Sequence, residues 1–406
     1  MHYHTCILSN GLRIVHLPCD SPVSYCGLAV NTGSRDEETN AFGMAHFVEH
    51  MLFKGTRKRR AWHILNRMET VGGELNAYTT KEETFIYSVF LEAHFERAFE
   101  LLTDLTFHST FPEAEAKKEL EVILDEINSY EDNPSELIYD EFENLLFEDM
   151  PLGHHILGTP ESISPFSHTD GLAFMEKHYI PSNMVFFSMG RTPFKKVVHA
   201  AERLAGAIQP QSYSPDRTPI TRVKISRTTT NKETSQSHVM MGGKAYGLHN
   251  HQRVGLYLIN NLLGGPGMNS RLNISLREKK GWVYQVDSSL TSYSDTGVFS
   301  VYFGSEKRHA DKCIQQIFKE FKTLREKPLT GSQLTAAKKQ LTGQLSIGNE
   351  HRENTFLGLG KSFLHYNRYD SLTEINSRIE SLTSHQLWDI CNEILDEQVI
   401  SILRYE

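Results

Sequence analysis

His46-Phe47-Val48-Glu49-His50 places two imidazoles and a carboxylate within five residues. On an α-helix, positions i and i+4 project from one face about a turn apart, so His46 and His50 can converge on one cation. Glu49, three residues from His46, shares that face. A carboxylate there can take a proton from a water whose pKa a bound metal has lowered towards neutrality. The spacing is the reverse of the commoner His-Glu-x-x-His arrangement. Two surface histidines beside a solvated glutamate would give the same five letters, so the chemistry requires more. A catalytic zinc takes three protein ligands and keeps its fourth position open.

A third ligand is available further along. From Pro112, the spacing of Leu120, Ile123, Leu124 and Ile127 predicts a long helix that ends at Asn133-Pro134. Glu119 and Glu126 are seven residues apart, two turns, and so share a face. Val122 and Ile123 flank it, which predicts that both carboxylates point inward. A buried carboxylate is costly unless paired or metal-bound. Salt bridges to Lys117 or Lys118 account for Glu121 and Asp125 better than for Glu126.

Other elements must hold these side chains. Leu12, Ile14 and His16 alternate with Arg13, Val15 and Leu17 between Asn10-Gly11 and Pro18, which predicts a strand, and a second is expected near 25–31. Residues 43–54 are helix-compatible with Gly55 as the stop. After the turn at Gly72-Gly73, residues 75–90 read as two strands around Lys81-Glu82-Glu83. Pro181-Ser182-Asn183 breaks a helical region, and 184–189 returns to strand. Strands mixed with helices without strict alternation indicate an α+β fold.

The chain has 406 residues, enough for two or three domains. A Pro-, Ser- and Thr-rich stretch at 206–230 reads as a linker between domains 1–205 and 231–406. The second half looks like a degenerate copy of the first. Ala116-Lys117-Lys118 recurs as Ala337-Lys338-Lys339 at an offset of 221, and Ser167-His168 as Ser384-His385 at 217. On that offset Glu119 and Glu126 correspond to Gln340 and Ile347, and no second His-x-x-Glu-His follows the linker, so no metal site is expected there. Gly264-Gly265 and Gly358-x-Gly360 lack a following Walker Lys-Ser/Thr and read as turns rather than a nucleotide site.

Composition narrows the class. Hydrophobic residues at 39% and charged residues at 23% fit an ordinary globular protein. The net charge of −8, without a basic run, argues against nucleic acid as a partner. Five scattered cysteines, none in a CxxC arrangement, fit a reducing compartment. The N-terminal residues show no leader pattern and no apolar run reaches membrane-spanning length, so a cytoplasmic protein without membrane attachment is expected.

The segments Gly33-Ser34-Arg35-Asp36-Glu37 and Gly43-Met44-Ala45-His46-Phe47-Val48-Glu49-His50-Met51-Leu52-Phe53-Lys54-Gly55-Thr56 closely resemble the pitrilysin, insulin-degrading enzyme and mitochondrial processing peptidase family of zinc metallopeptidases. Gly72-Gly73-Glu74-Leu75-Asn76-Ala77-Tyr78-Thr79 and Pro181-Ser182-Asn183-Met184 extend the likeness over nearly the whole chain. Glu126, 76 residues beyond His50, falls where that family places its third zinc ligand. Glu119 matches the supporting Glu of its Glu-x6-Glu pattern, which orients the metal's surroundings. The resemblance further implies one Zn2+ per chain, with Asn76 and Ala77 on a strand to which an extended peptide substrate adds. Ser270-Arg271-Leu272 and the run from Leu276 to Tyr284 resemble the segment carrying the family's Arg/Tyr pair, here Arg277 and Tyr284, which contacts substrate and transition state. The fold it implies is two similar domains, each a mainly antiparallel sheet packed with helices, forming half of a four-domain clamshell. Short members pair, so a homodimer is expected, with Arg277 and Tyr284 acting in trans on the partner's metal centre.

Overall fold

The computed structural model describes residues 2–213 and 215–406. Met1, at the start of the stretch read for a leader, and Ser214, inside the expected linker, lie outside them. Two compact units result, one from residues up to Asn128 with His155–Arg217 and Asn349–Asp370, the other from Ser129–His154, Thr218–Gly348 and Ser371–Glu406.

In the first unit β1 (His4–Ile7), β2 (Arg13–Pro18), β3 (Val23–Val30), β4 (Glu74–Thr79), β5 (Thr84–Leu91) and β6 (Met184–Gly190) form one sheet ordered β1-β2-β6-β3-β5-β4. All pairings are antiparallel except β2 with β6. Successive side chains of a strand point to opposite faces, and in the central strands β2, β3, β5 and β6 both faces are largely buried. Ile14, Leu28, Ile86 and Phe186 meet the core beneath the helices Met44–Leu52 and Phe95–His108. Val15, Ala29, Phe85 and Phe187 meet Phe356, Leu359 and Phe363 on the other face. Those last three belong to the helix Arg352–Tyr366. Gly358 and Gly360 therefore lie within a helix rather than a turn. A Cβ at Gly360 would sit 2.8 Å from the Phe187 ring, so the helix can approach the sheet this closely only without a side chain there.

In the second unit β7 (Arg227–Thr230), β8 (Ser237–Ala245), β9 (Val283–Ser292), β10 (Gly297–Ser305) and β11 (Ser401–Tyr405) are ordered β7-β11-β8-β10-β9, with only β7 and β11 parallel. This repeats β2 to β6 strand for strand. The recurring Ala-Lys-Lys lies in matching helices, Glu113–Glu131 and Gly331–Gly348. The fold is α+β with two similar domains.

The units are not the continuous stretches 1–205 and 231–406. The helix Pro134–Leu146 covers the second sheet, its Leu137, Ile138 and Phe142 against Met240, Tyr302 and Leu403. The helix Arg352–Tyr366 covers the first in return. A sheet buried on both faces needs a second helical layer, and each half of the chain supplies that layer to the other half's sheet. The expected linker is also shorter. Arg217 is held by Asp36 (2.8 and 2.7 Å) and the carbonyls of Asn31 and Glu82, while Arg227–Thr230 is a strand. All five cysteines are free. Among the described residues no helix is long and apolar enough to cross a membrane.

Candidate metal centre

The helix Met44–Leu52 buries Phe47, Val48, Met51 and Leu52 in the first core, which turns His46, Glu49 and His50 to its other side. Its start is fixed by two devices. Gly43 has φ of 97°, and a Cβ there would lie 2.7 Å from the Leu157 carbonyl oxygen. The Glu37 carboxylate accepts from the backbone N–H groups of Gly43 (2.9 Å) and Ala45 (2.8 Å), at the positive end of the helix dipole. Burial pushes the Glu37 carboxyl well above its ordinary range, against the pull of those amides and of Lys81. Gly33-Ser34-Arg35-Asp36-Glu37 is thus a clamp. Arg35 pairs with Glu82 at 2.6 Å, and Asp36 accepts from the Gly33 N–H and from Arg217.

The long helix brings the carboxylates. Glu126 Oε2 lies 3.8 Å from His46 Nε2 and 3.5 Å from His50 Nε2, and one donor atom from each of the three residues falls within 4.8 Å of the others. Donors arranged tetrahedrally at about 2.0–2.2 Å from a zinc ion stand roughly 3.3–3.6 Å apart. Two nitrogens and a carboxylate oxygen so placed fit such a cation with one position left open. No other His, Cys, Asp or Glu group among the described residues meets the same criterion.

Glu119 is buried and does not join that group. Its Oε1 accepts from His50 Nδ1 at 3.0 Å, and its Oε2 takes an ion pair from Lys54 at 2.6 Å. A bond on Nδ1 fixes the tautomer that leaves Nε2 free for a metal. One expectation fails in detail: Val122 is 49% exposed, so only Ile123 marks the inward stripe. The Glu126 side chain is itself 45% exposed. It reaches the histidines from the rim, and this leaves the centre open to solvent.

Electrostatics separate the two histidines. Burial, and then the neighbouring His50, depress His46 to about 4. Burial also opposes charge on His50, but the carboxylates of Glu119 and Glu126 outweigh it and raise that ring to about 9. Burial raises Glu49, partly offset by the hydroxyl of Thr79, which donates to Glu49 Oε2 at 2.5 Å. A carboxylate with an elevated pKa suits proton transfer near neutrality.

Asn76 and Ala77 lie opposite Tyr87 and Ile86 on β4, the outermost strand, which packs against the motif helix. Arg277 and Tyr284 belong to the second unit. Arg277 sits on a π-helical turn, Asn273–Glu278, and its guanidinium lies 5.7 Å from the Tyr284 ring centre. Both line a cleft of about 620 Å³ with Tyr257, Asn260, Met268 and Asp287, and Tyr284 is 83% exposed at the start of β9. Lys54 and Thr79 were not singled out by residue type. Their signal was position, in segments that carry the family likeness.

Known proteins resemble this chain in sequence and fold along most of their length. Residues 15–160 match the family model described as insulinase (peptidase family M16), and 165–341 match the peptidase M16 inactive domain. A Bacillus subtilis (strain 168) protein named as the uncharacterized zinc protease YmxG is 31% identical over 97% of this chain and 95% of its own length. A Rickettsia felis protein named as an uncharacterized zinc protease is 32% identical over 98% and 96%. In fold, a Helicobacter pylori protease superposes with a TM-score of 0.93 at 21% identity, covering 100% of this chain and 99% of that one. A Pseudomonas fluorescens structure titled as a peptidase M16 inactive domain gives 0.92 at 20%, covering 100% and 98%.

Proposed function

The chain belongs to the insulinase-type M16 peptidase family, and from that premise we propose that it is a zinc-dependent endopeptidase acting on peptides or unfolded protein segments. The observation that carries the reading is the convergence of His46, His50 and Glu126 beside a separate carboxylate, Glu49. Relatives named as zinc proteases, matched over 95% and 96% of their length, support the choice of metal. His46, His50 and Glu126 would hold a zinc ion, which would supply Lewis acidity towards a carbonyl and a water. Glu49 receives the proton of the attacking water and returns it to the leaving amine. Glu119, steadied by Lys54, keeps His50 in the tautomer that binds through Nε2. The free edge of β4 accepts the substrate as an added strand, with Asn76 and Ala77 positioning its backbone.

The same reading places the complete machinery in a dimer. Arg277 and Tyr284 stand ready to bind the developing negative charge on the scissile carbonyl, and the exposure of Tyr284 suits a group that meets its target in another chain. Two copies pair so that this couple serves the partner's zinc domain, enclosing the substrate in a chamber. The test is mass spectrometry of a peptide library incubated with the purified protein. Internal cleavages that a chelator abolishes and added zinc restores are expected; cleavage insensitive to chelation would sink the proposal.

A further inference from the structure

Thr79 ends the strand that the proposed function assigns to the substrate, and its hydroxyl touches the proposed base. The terminal torsion of a glutamate is soft and roughly two-fold, so a carboxylate that must face a reacting water needs one oxygen held. Thr79 Oγ1 donates to Glu49 Oε2 at 2.5 Å. Its other hydroxyl neighbour, Thr84 Oγ1, is 3.5 Å away and gives its own proton to the Thr32 carbonyl at 2.9 Å. The Thr79 proton is thereby committed to Glu49, and Oε1 is left for chemistry.

The donor itself is fixed. The connection from β4 to β5 is Thr80-Lys81-Glu82-Glu83, and its last three residues are almost fully buried despite their charges. Glu82 pairs with Arg35 at 2.6 Å, and Glu83 is held at 2.5 Å by both Lys361 and His365 of the helix Arg352–Tyr366. Thr80 closes the turn, its N–H donating to the Glu83 carbonyl at 2.8 Å and its hydroxyl accepting from the Glu83 N–H at 3.2 Å. Buried ion pairs of this kind contribute little net stability because desolvation offsets their attraction; one attested use is to impose a single geometry. Here the geometry imposed is the end of β4.

We propose that Thr79 is a positioning residue that ties the orientation of the Glu49 carboxylate to the substrate-receiving strand. The inference rests on the peptidase reading above. Thr79→Val keeps the branched shape and removes the hydroxyl, whereas Thr79→Ser keeps the hydroxyl. The valine variant is expected to lose about 10- to 100-fold in kcat, with KM and metal content unchanged. Serine should restore kcat to within a few fold. On a Glu49→Gln background, Thr79→Val should cost nothing further. Wild-type kcat in Thr79→Val, a loss that serine does not rescue, or an undiminished loss in the residual cleavage of Glu49→Gln would overturn the role of Thr79 alone, provided Glu49→Gln by itself shows its large loss. Full cleavage by Glu49→Gln would instead overturn the base assignment, and this role with it.

Discussion

Glu49→Gln is expected to lower kcat/KM by about 10³- to 10⁴-fold, or roughly 4–5.5 kcal/mol of transition-state stabilisation, with zinc content unchanged. The amide has nearly the volume of the carboxylate and can still accept from Thr79, but it cannot take a proton. Metal binding is expected to survive because the proposed ligands are His46, His50 and Glu126. Stability does not fall either. In the metal-free fold burial raises the Glu49 pKa above its ordinary value, so its ionised form is disfavoured. That cost is absent below the unfolded-state pKa and full above the folded-state one. At pH 7 the glutamine removes it, and the metal-stripped variant's melting temperature should match or exceed that of the metal-stripped parent. Peptide assay and metal analysis of the loaded protein, with thermal unfolding after chelation, check all three. Retained cleavage would remove Glu49 from the chemistry, and lost zinc would show that it helps to hold the ion.

Mixing two inactive chains restores activity. Glu49→Gln leaves Arg277 and Tyr284 intact but disables the base, while Arg277→Ala leaves the zinc domain intact. If the Arg/Tyr couple serves the partner's centre, a mixed dimer contains one site with every group present and one with none of the repairable ones. With one working site in two, isolated mixed dimers should show roughly half of wild-type activity, and the unsorted product of random pairing in equal amounts, half of it mixed, roughly a quarter. Assembly within one chain predicts none above the parents. The comparison requires co-refolding or co-expression with two affinity tags, so that mixed dimers are isolated before assay. Inactive mixed dimers would assign the couple to its own chain.

Much of the centre was legible because it is local. Two histidines at i and i+4 share a helix face whatever the rest of the molecule does, and Glu119 and Glu126 obey the same geometry one helix later. The meeting of those two helices is a long-range fact that spacing alone does not give, and it entered through the family likeness. Val122 was misjudged because a helix face is wider than the stripe that touches the core, and Glu126 sits at its margin. The strand pattern of both halves was partly readable from alternation, but the exchange of Pro134–Leu146 and Arg352–Tyr366 was not. An amphipathic pattern marks the face of a helix that is buried but not the sheet it covers, so only tertiary packing decides. The same holds for Gly360, whose role depends on Phe187, 173 positions away in sequence. The charged run Lys81-Glu82-Glu83 read only as the connection between two strands; its near-complete burial depends on partners, Arg35, Lys361 and His365, that come from distant segments.

Diffraction from crystals of the zinc-loaded protein, recorded on both sides of the zinc absorption edge, bears most directly on the whole account. A single strong anomalous peak per chain is predicted about 2.0–2.2 Å from His46 Nε2, His50 Nε2 and a Glu126 carboxylate oxygen. A peak that excludes Glu126, or none at this position in fully loaded protein, would contradict it.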